Sequence, residues 1–192
     1  ANNRISKGGV LGGGLTPSST LTSILLFVAG QSNARKAGTS TIPTKYTTVT
    51  DAYIWNGSAF VAYVCGTNSG HQGGSDSGVW GSEAEFIYQV NQNYPGRKVY
   101  VVKEAVNGQA LATVGGGDWA PTSSGERFAG LEAQTTAARA WLSGQGVSSI
   151  TEVVAWNQGE ADVNDDTQST NYNANFDAFL VAFRSRISAT AK

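Results

Sequence analysis

The chain has 192 residues, of which 40% are apolar, 10% aromatic and only 14% charged. That length suits one compact domain, and the apolar share is large enough for a core, which excludes a disordered chain. Thirteen Lys and Arg against fourteen Asp and Glu leave a formal charge of -1, so no basic stripe exists for a phosphate backbone and nucleic acid is not expected as a partner.

A single cysteine, Cys65, rules out an intramolecular disulfide and a cysteine-built zinc site. The longest apolar run, Ile24 to Gly30, falls far short of the roughly 20 residues that a bilayer requires, so no membrane span is expected. The first residues lack the charged-then-apolar order of a signal peptide. The sequence contains no methionine, and the expectation is a chain processed, trimmed or cut from something longer. Low charge with abundant Gly, Ser, Thr and Asn suits an extracellular, cell-surface or virion setting.

Residues 1–20 hold Gly8, Gly9, Gly12, Gly13 and Gly14 followed by Thr16-Pro17-Ser18-Ser19, and read as an arm or linker. No Gly-Lys-Ser/Thr follows, so a phosphate loop is not expected. The domain proper is expected over residues 21–192. Ile24 to Ala29 is a continuous apolar run and predicts a strand buried on both faces. Asp51 to Val64 predicts a hairpin turning at Asn56-Gly57; the turn also accounts for the sequon Asn56-Gly57-Ser58. Residues 66–80 are Gly/Ser-rich and read as structureless.

From Ser82 the spacing of Ala84, Phe86, Ile87 and Val90 predicts a helix, capped by Ser82 with Glu85 completing a capping box and ended at Asn93-Tyr94-Pro95-Gly96. Val99 to Val102 predicts a second buried strand, followed by a loop through Gly108 and the Gly115-to-Trp119 segment. Leu131, Ala138, Trp141 and Leu142 mark another helix, and Ile150 to Trp156 a third strand. A last helix is expected from about Tyr172 to Ile187, on Phe176, Phe179, Leu180, Phe183 and Ile187.

Strands alternating with helices imply βαβ units: an α/β chain with a mostly parallel sheet. Ligands of such sheets sit at the carboxyl ends of the strands. Those ends carry Gly30-Gln31-Ser32-Asn33, Glu104 to Gly108, and Asn157-Gln158-Gly159-Glu160, three polar clusters on one edge. Each residue has a plainer role when taken alone. Ser32 could be a helix cap, Gly81 a helix-entry glycine, Gln158 and Glu160 solvated loop residues, and His71 an exposed loop histidine. Together they read as a nucleophilic hydroxyl with amide donors for a developing oxyanion.

In order, Gly30-Gln31-Ser32-Asn33, Trp80-Gly81-Ser82-Glu83 and Trp156-Asn157-Gln158-Gly159-Glu160-Ala161-Asp162 resemble the SGNH hydrolases. The resemblance is to the branch of the sialate O-acetylesterases and the acetylxylan esterases of carbohydrate esterase family six, and it spans roughly Ile24 to Phe183. It implies a three-layer α/β/α sandwich, flavodoxin-like, and hydrolysis of O-acetyl esters of carbohydrate through an acyl-serine, without metal or cofactor. It makes Ser32 the nucleophile, the N–H groups of Ser32 and Gly81 with Gln158 the oxyanion donors, and Glu160 a supporting carboxylate. Gln31 and Asn33 would shape the nucleophile turn. The Val102-to-Gly108 stretch resembles the branch's strand-and-glycine segment, which adds Asn107 and Gly108 to the substrate-binding positions. Trp80 and Trp119, read as exposed aromatics, would stack on a sugar ring, although such tryptophans are otherwise core residues.

The family's base histidine, usually with an aspartate a few residues earlier, follows a further strand near the C-terminal end, and this sequence has one histidine, His71. Three explanations stand. The Asp/His segment lies on a removed or separate polypeptide; His71 reaches Ser32; or the domain is catalytically silent and binds carbohydrate or packs in an assembly.

Overall fold

The first apolar run forms β1, Ser23–Gly30, buried along its whole length. In the computed structural model the described residues are 21–36, 41–74, 78–115, 117–123 and 126–192; the expected arm over 1–20 lies outside them. Two parallel neighbours flank β1: β4, Val99–Ala105, with Gly30 opposite Ala105, and β5, Ile150–Asn157, with Gly30 opposite Asn157. β2, Ala52–Trp55, runs parallel to β4 on its other side, and β3, Phe60–Ala62, pairs antiparallel with β2, giving the order β3-β2-β4-β1-β5. The protein is therefore an α/β fold on a mostly parallel sheet.

Alternation along the strands divides the core in two, because successive side chains point to opposite faces. Leu25, Phe27, Ala29, Tyr100 and Val102 pack with Phe128, Leu131, Ala138 and Leu142 of α3, Arg127–Gly144, and with Phe179 of α4, Asp166–Ala182. Leu26, Val28, Val99 and Val101 pack with Ala34 of α1, Ser32–Arg35, and with Ala84, Ile87 and Val90 of α2, Ser82–Asn93. Helices thus cover both faces of the sheet.

Several local expectations are corrected. The hairpin loop spans residues 56–59, because the Asn56 carboxamide oxygen accepts from the Ser58 and Ala59 N–H groups and Trp55 pairs with Phe60. The N-cap of α2 is Gly81, with no side-chain cap bond. Glu85 turns outward to Lys45, Tyr46 and Gln89, so it closes no capping box. The 66–80 segment is not structureless: it contains a 3-10 turn at His71–Gly73. The last helix begins earlier than its apolar residues suggest, since Asp165 caps it by accepting from Gln168 N–H at 2.9 Å. It ends in a π-turn, Phe183–Ile187. Beyond it the chain returns to the outer edge of β5, where Lys192 donates to Glu152 O and accepts from Val154 N–H.

Candidate active site

Gly30 ends β1 with φ +144, and a Cβ there would lie 1.9 Å from Asn157 O. Only glycine fits, and the chain turns sharply into α1, whose first residue is Ser32. The turn is held from below. The Gly30 carbonyl accepts from the Trp119 indole N–H at 3.2 Å. From the side, the buried Gln31 carboxamide oxygen accepts from Ala161 N–H at 3.1 Å and faces Gln158 Nε2 at 3.5 Å. Asn33 donates to the exposed Glu160 carboxylate. Gln31, Asn33, Gln158 and Glu160 are thus brought together, with Ser32 half-buried on the same turn.

The two other expected oxyanion donors are engaged inside the protein. Gly81 is buried beside α1 and donates its N–H to Glu83 Oε1 at 3.0 Å. Gln158 Nε2 donates to Asp162 Oδ2 at 2.5 Å and to Gln109 O at 3.1 Å, while its Oε1 is buried and unpartnered. The Ser32 N–H, first in its helix, has no intrahelical acceptor. Asn107 and Gly108 lie exposed beyond β4. A cavity of about 240 Å³ opens beside this loop, lined by Gln158, Gly159, Asp162, Val163, Ser169 and Tyr172. A larger one, about 480 Å³, lies between Leu111, Pro121 and α4 and touches none of the three motifs.

One expectation is overturned outright. Trp119 is 0% exposed and packs edge-on against Trp156 and Phe179, so it offers no face to a sugar; its indole N–H supports the Ser32 turn instead. Trp80 is half-buried against the Tyr46 ring.

With this geometry in hand, the comparisons decide the family. The model described as "Carbohydrate esterase, sialic acid-specific acetylesterase" matches residues 22–191. The chain belongs to that family of carbohydrate esterases. Among solved structures, a protein of Arabidopsis thaliana is similar with a TM-score of 0.62 and 16% identity, over 86% of this chain and 69% of that one. NanS is similar with a TM-score of 0.59 and 16% identity, over 88% of this chain and 65% of that one. At such identities the likeness is one of fold. None of the curated proteins matches the sequence.

Sequence reasoning missed the buried charges beneath this esterase edge. Lys103 and Glu83, both with side chains 0% exposed, pair at 2.8 Å. The same ammonium donates to Ser69 O at 2.8 Å and to Arg35 O at 3.1 Å, tying the His71 loop to the end of α1. Glu104 lies on the opposite face of β4, accepting from Arg127 and Gln72 at 3.0 Å each, with His71 Nδ1 3.8 Å away. Asp162 takes the N–H groups of Leu111 and Ala112 besides Gln158. Burial pushes the His71 imidazole below its ordinary value, and the positive charges of Arg127, Arg35 and Lys103 add to that against the upward pull of Glu104.

Proposed function

We propose that this carbohydrate esterase removes O-acetyl groups from a glycan through an acyl-serine intermediate, with Ser32 as the nucleophile. The observation that supports it most is the stitching of Gln31 and Asn33 to the 158–161 loop, which leaves Ser32 at the carboxyl edge of the sheet between two motifs. The Ser32 oxygen attacks the ester carbonyl, and collapse of the tetrahedral intermediate expels the sugar hydroxyl. Water then releases acetate.

Ser32's own N–H is the oxyanion donor that stands ready. In this reading Gln158 joins it by turning its carboxamide from Asp162 toward the substrate oxygen, while the Gly81 N–H stays on Glu83. The cavity beside Gln158 and Tyr172 is the adjoining place for part of the glycan. In this reading the site works without a metal or cofactor, and the low-charge, Gly/Ser/Thr-rich chain acts on glycans outside the cell or from a virion.

The test is acetate release from an O-acetylated glycan, and hydrolysis of p-nitrophenyl acetate, by the chain and by Ser32→Ala. A loss on the order of 10⁴-fold in the variant is expected. Equal background rates, together with retained glycan binding, would identify a silent binding domain instead.

A further inference from the structure

Resting on the esterase reading, and on Gln158 as a donor within it, we infer that Asp162 is the positioning residue for Gln158. At rest it holds the carboxamide nitrogen on the side of the Ser32 turn, and it releases that nitrogen to the substrate oxygen without being stranded. Asp162 is 1% exposed and opens the 3-10 turn Asp162–Asn164. Its Oδ2 accepts from Gln158 Nε2 at 2.5 Å and from Leu111 N–H at 2.8 Å, and its Oδ1 accepts from Ala112 N–H at 3.0 Å. The carboxylate therefore joins the third motif to the 109–112 loop that follows β4.

A carboxamide has a donating end and an accepting end, and its covalent structure does not decide which of them faces Ser32. Asp162 decides it, because a carboxylate only accepts. Around Nε2 stand Asp162 Oδ2, Gln109 O at 3.1 Å and, at 3.5 Å, Oε1 of Gln31, the residue before Ser32. The Oε1 of Gln158 is buried and meets no donor. An unmet buried acceptor costs free energy, so this orientation is imposed from the nitrogen end, where the carboxylate is the strongest acceptor. The main chain is held too, since Tyr172 Oη donates to Gln158 O at 2.9 Å. Only the side chain has to turn, and the cavity of about 240 Å³ lined by both Gln158 and Asp162 gives it room.

Release leaves Asp162 satisfied. When Gln158 turns away, Leu111 and Ala112 still donate to the two carboxylate oxygens, so no buried charge is left without a hydrogen bond. The exchange replaces one charge-assisted bond, to Asp162, by another, to the oxyanion. No proton changes owner. The same carboxylate also steadies the nucleophile from the far side. Its partners Leu111 and Ala112 follow Ala110, whose carbonyl accepts from Trp119 N–H at 2.9 Å, and the Trp119 indole N–H holds Gly30 O. One buried group thus sets the Gln158 donor and, through the Trp119 loop, the turn that carries Ser32.

The experiment measures kcat and KM for p-nitrophenyl acetate in the full chain, Ser32→Ala, Asp162→Asn, Gln158→Ala and the double variant of Asp162→Asn with Gln158→Ala. Gln158→Ala is expected to lower kcat about 10²–10³-fold, the usual effect of removing an oxyanion donor. Asp162→Asn keeps the shape but brings an NH₂ group that Gln158 meets with its oxygen. Its kcat should fall about 10-fold or more with KM nearly unchanged, and the double variant should be no slower than Gln158→Ala alone. Losses that multiply in the double variant, or wild-type kcat in Asp162→Asn, would overturn the positioning role and leave the esterase reading intact. A wild-type chain no faster than Ser32→Ala would overturn both. Where Asp162→Asn does not fold, the ¹H–¹⁵N spectrum of the full chain decides. The two Gln158 carboxamide protons should be widely split, the one on Asp162 downfield, and both slow to exchange with water. A pair at ordinary carboxamide positions in fast exchange would overturn the placement.

Discussion

Lys103→Met removes one partner of an ion pair whose two side chains are 0% exposed. Glu83 Oε1 keeps the Gly81 N–H and a long contact to Tyr63 Oη, and Oε2 already has no partner. The carboxylate is thus left without its counter-ion in a site closed to water. Breaking a buried pair in this way costs about 3–5 kcal/mol. For a domain of this size each kcal/mol moves Tm by roughly 2–4 °C, so the variant should melt about 6–20 °C lower. Glu83→Gln should cost a similar amount, because it strands the ammonium. The double variant leaves neither charge of this pair, and its loss should fall short of the sum of the singles by about 2–3 kcal/mol. Urea unfolding followed by tryptophan fluorescence, with m held constant, measures the cycle. Single losses that add to within about 0.5 kcal/mol would refute the pairing as the organiser of this region.

Gly30→Ala places a methyl group on Asn157 O at a φ that alanine resists. It should cost more than about 1 kcal/mol of unfolding free energy in urea and abolish the acylation burst, because the turn that presents Ser32 is rebuilt. Trp119→Ala should cost about 3–5 kcal/mol as a core deletion. Its kcat should fall with stability, whereas a selective rise in KM would restore a sugar-stacking role. The His71 imidazole binds its proton less readily in the folded chain than in the unfolded one, chiefly through burial. The unfolded state therefore holds more protons below about pH 6.5. Stability should fall as pH drops through that window and level off below the folded value. His71→Asn should flatten the curve, as followed by urea midpoint between pH 5 and 8.

The layered fold was legible because its strands are apolar runs and its helices carry apolar residues at helical spacing, both local signals. β1 and β5 emerge close to where the pattern puts them. β4 runs on through Lys103 and Glu104 to Ala105, past the expected end at Val102, because two charged side chains there are buried and paired rather than solvated. A charged pair at the end of a valine run reads as a strand leaving the core. Only the partners, Glu83 and Arg127, reveal the opposite, and they lie 20 and 23 residues away. The α4 start was missed for a related reason: its first turns are polar, and Asp165, not an apolar residue, begins it.

The site was legible as a set of motifs but not as a set of free donors, and the difference is electrostatic. A loop at a strand end leaves backbone and carboxamide N–H groups that burial would make costly unless they are met. Glu83, Asp118 and Asp162 meet them here, each a buried carboxylate accepting from at least one backbone N–H. Such acceptors hold Gly81 and Gln158 in register beside Ser32, and the same bonds occupy the protons that an oxyanion would need. Glu104 differs, because its bonds come from side chains, Arg127 and Gln72, and it leaves His71 Nδ1 facing it without a hydrogen bond. Of the buried carboxylates at this edge, it is therefore the one that ties a helix, α3, to the 71–73 turn through side chains alone.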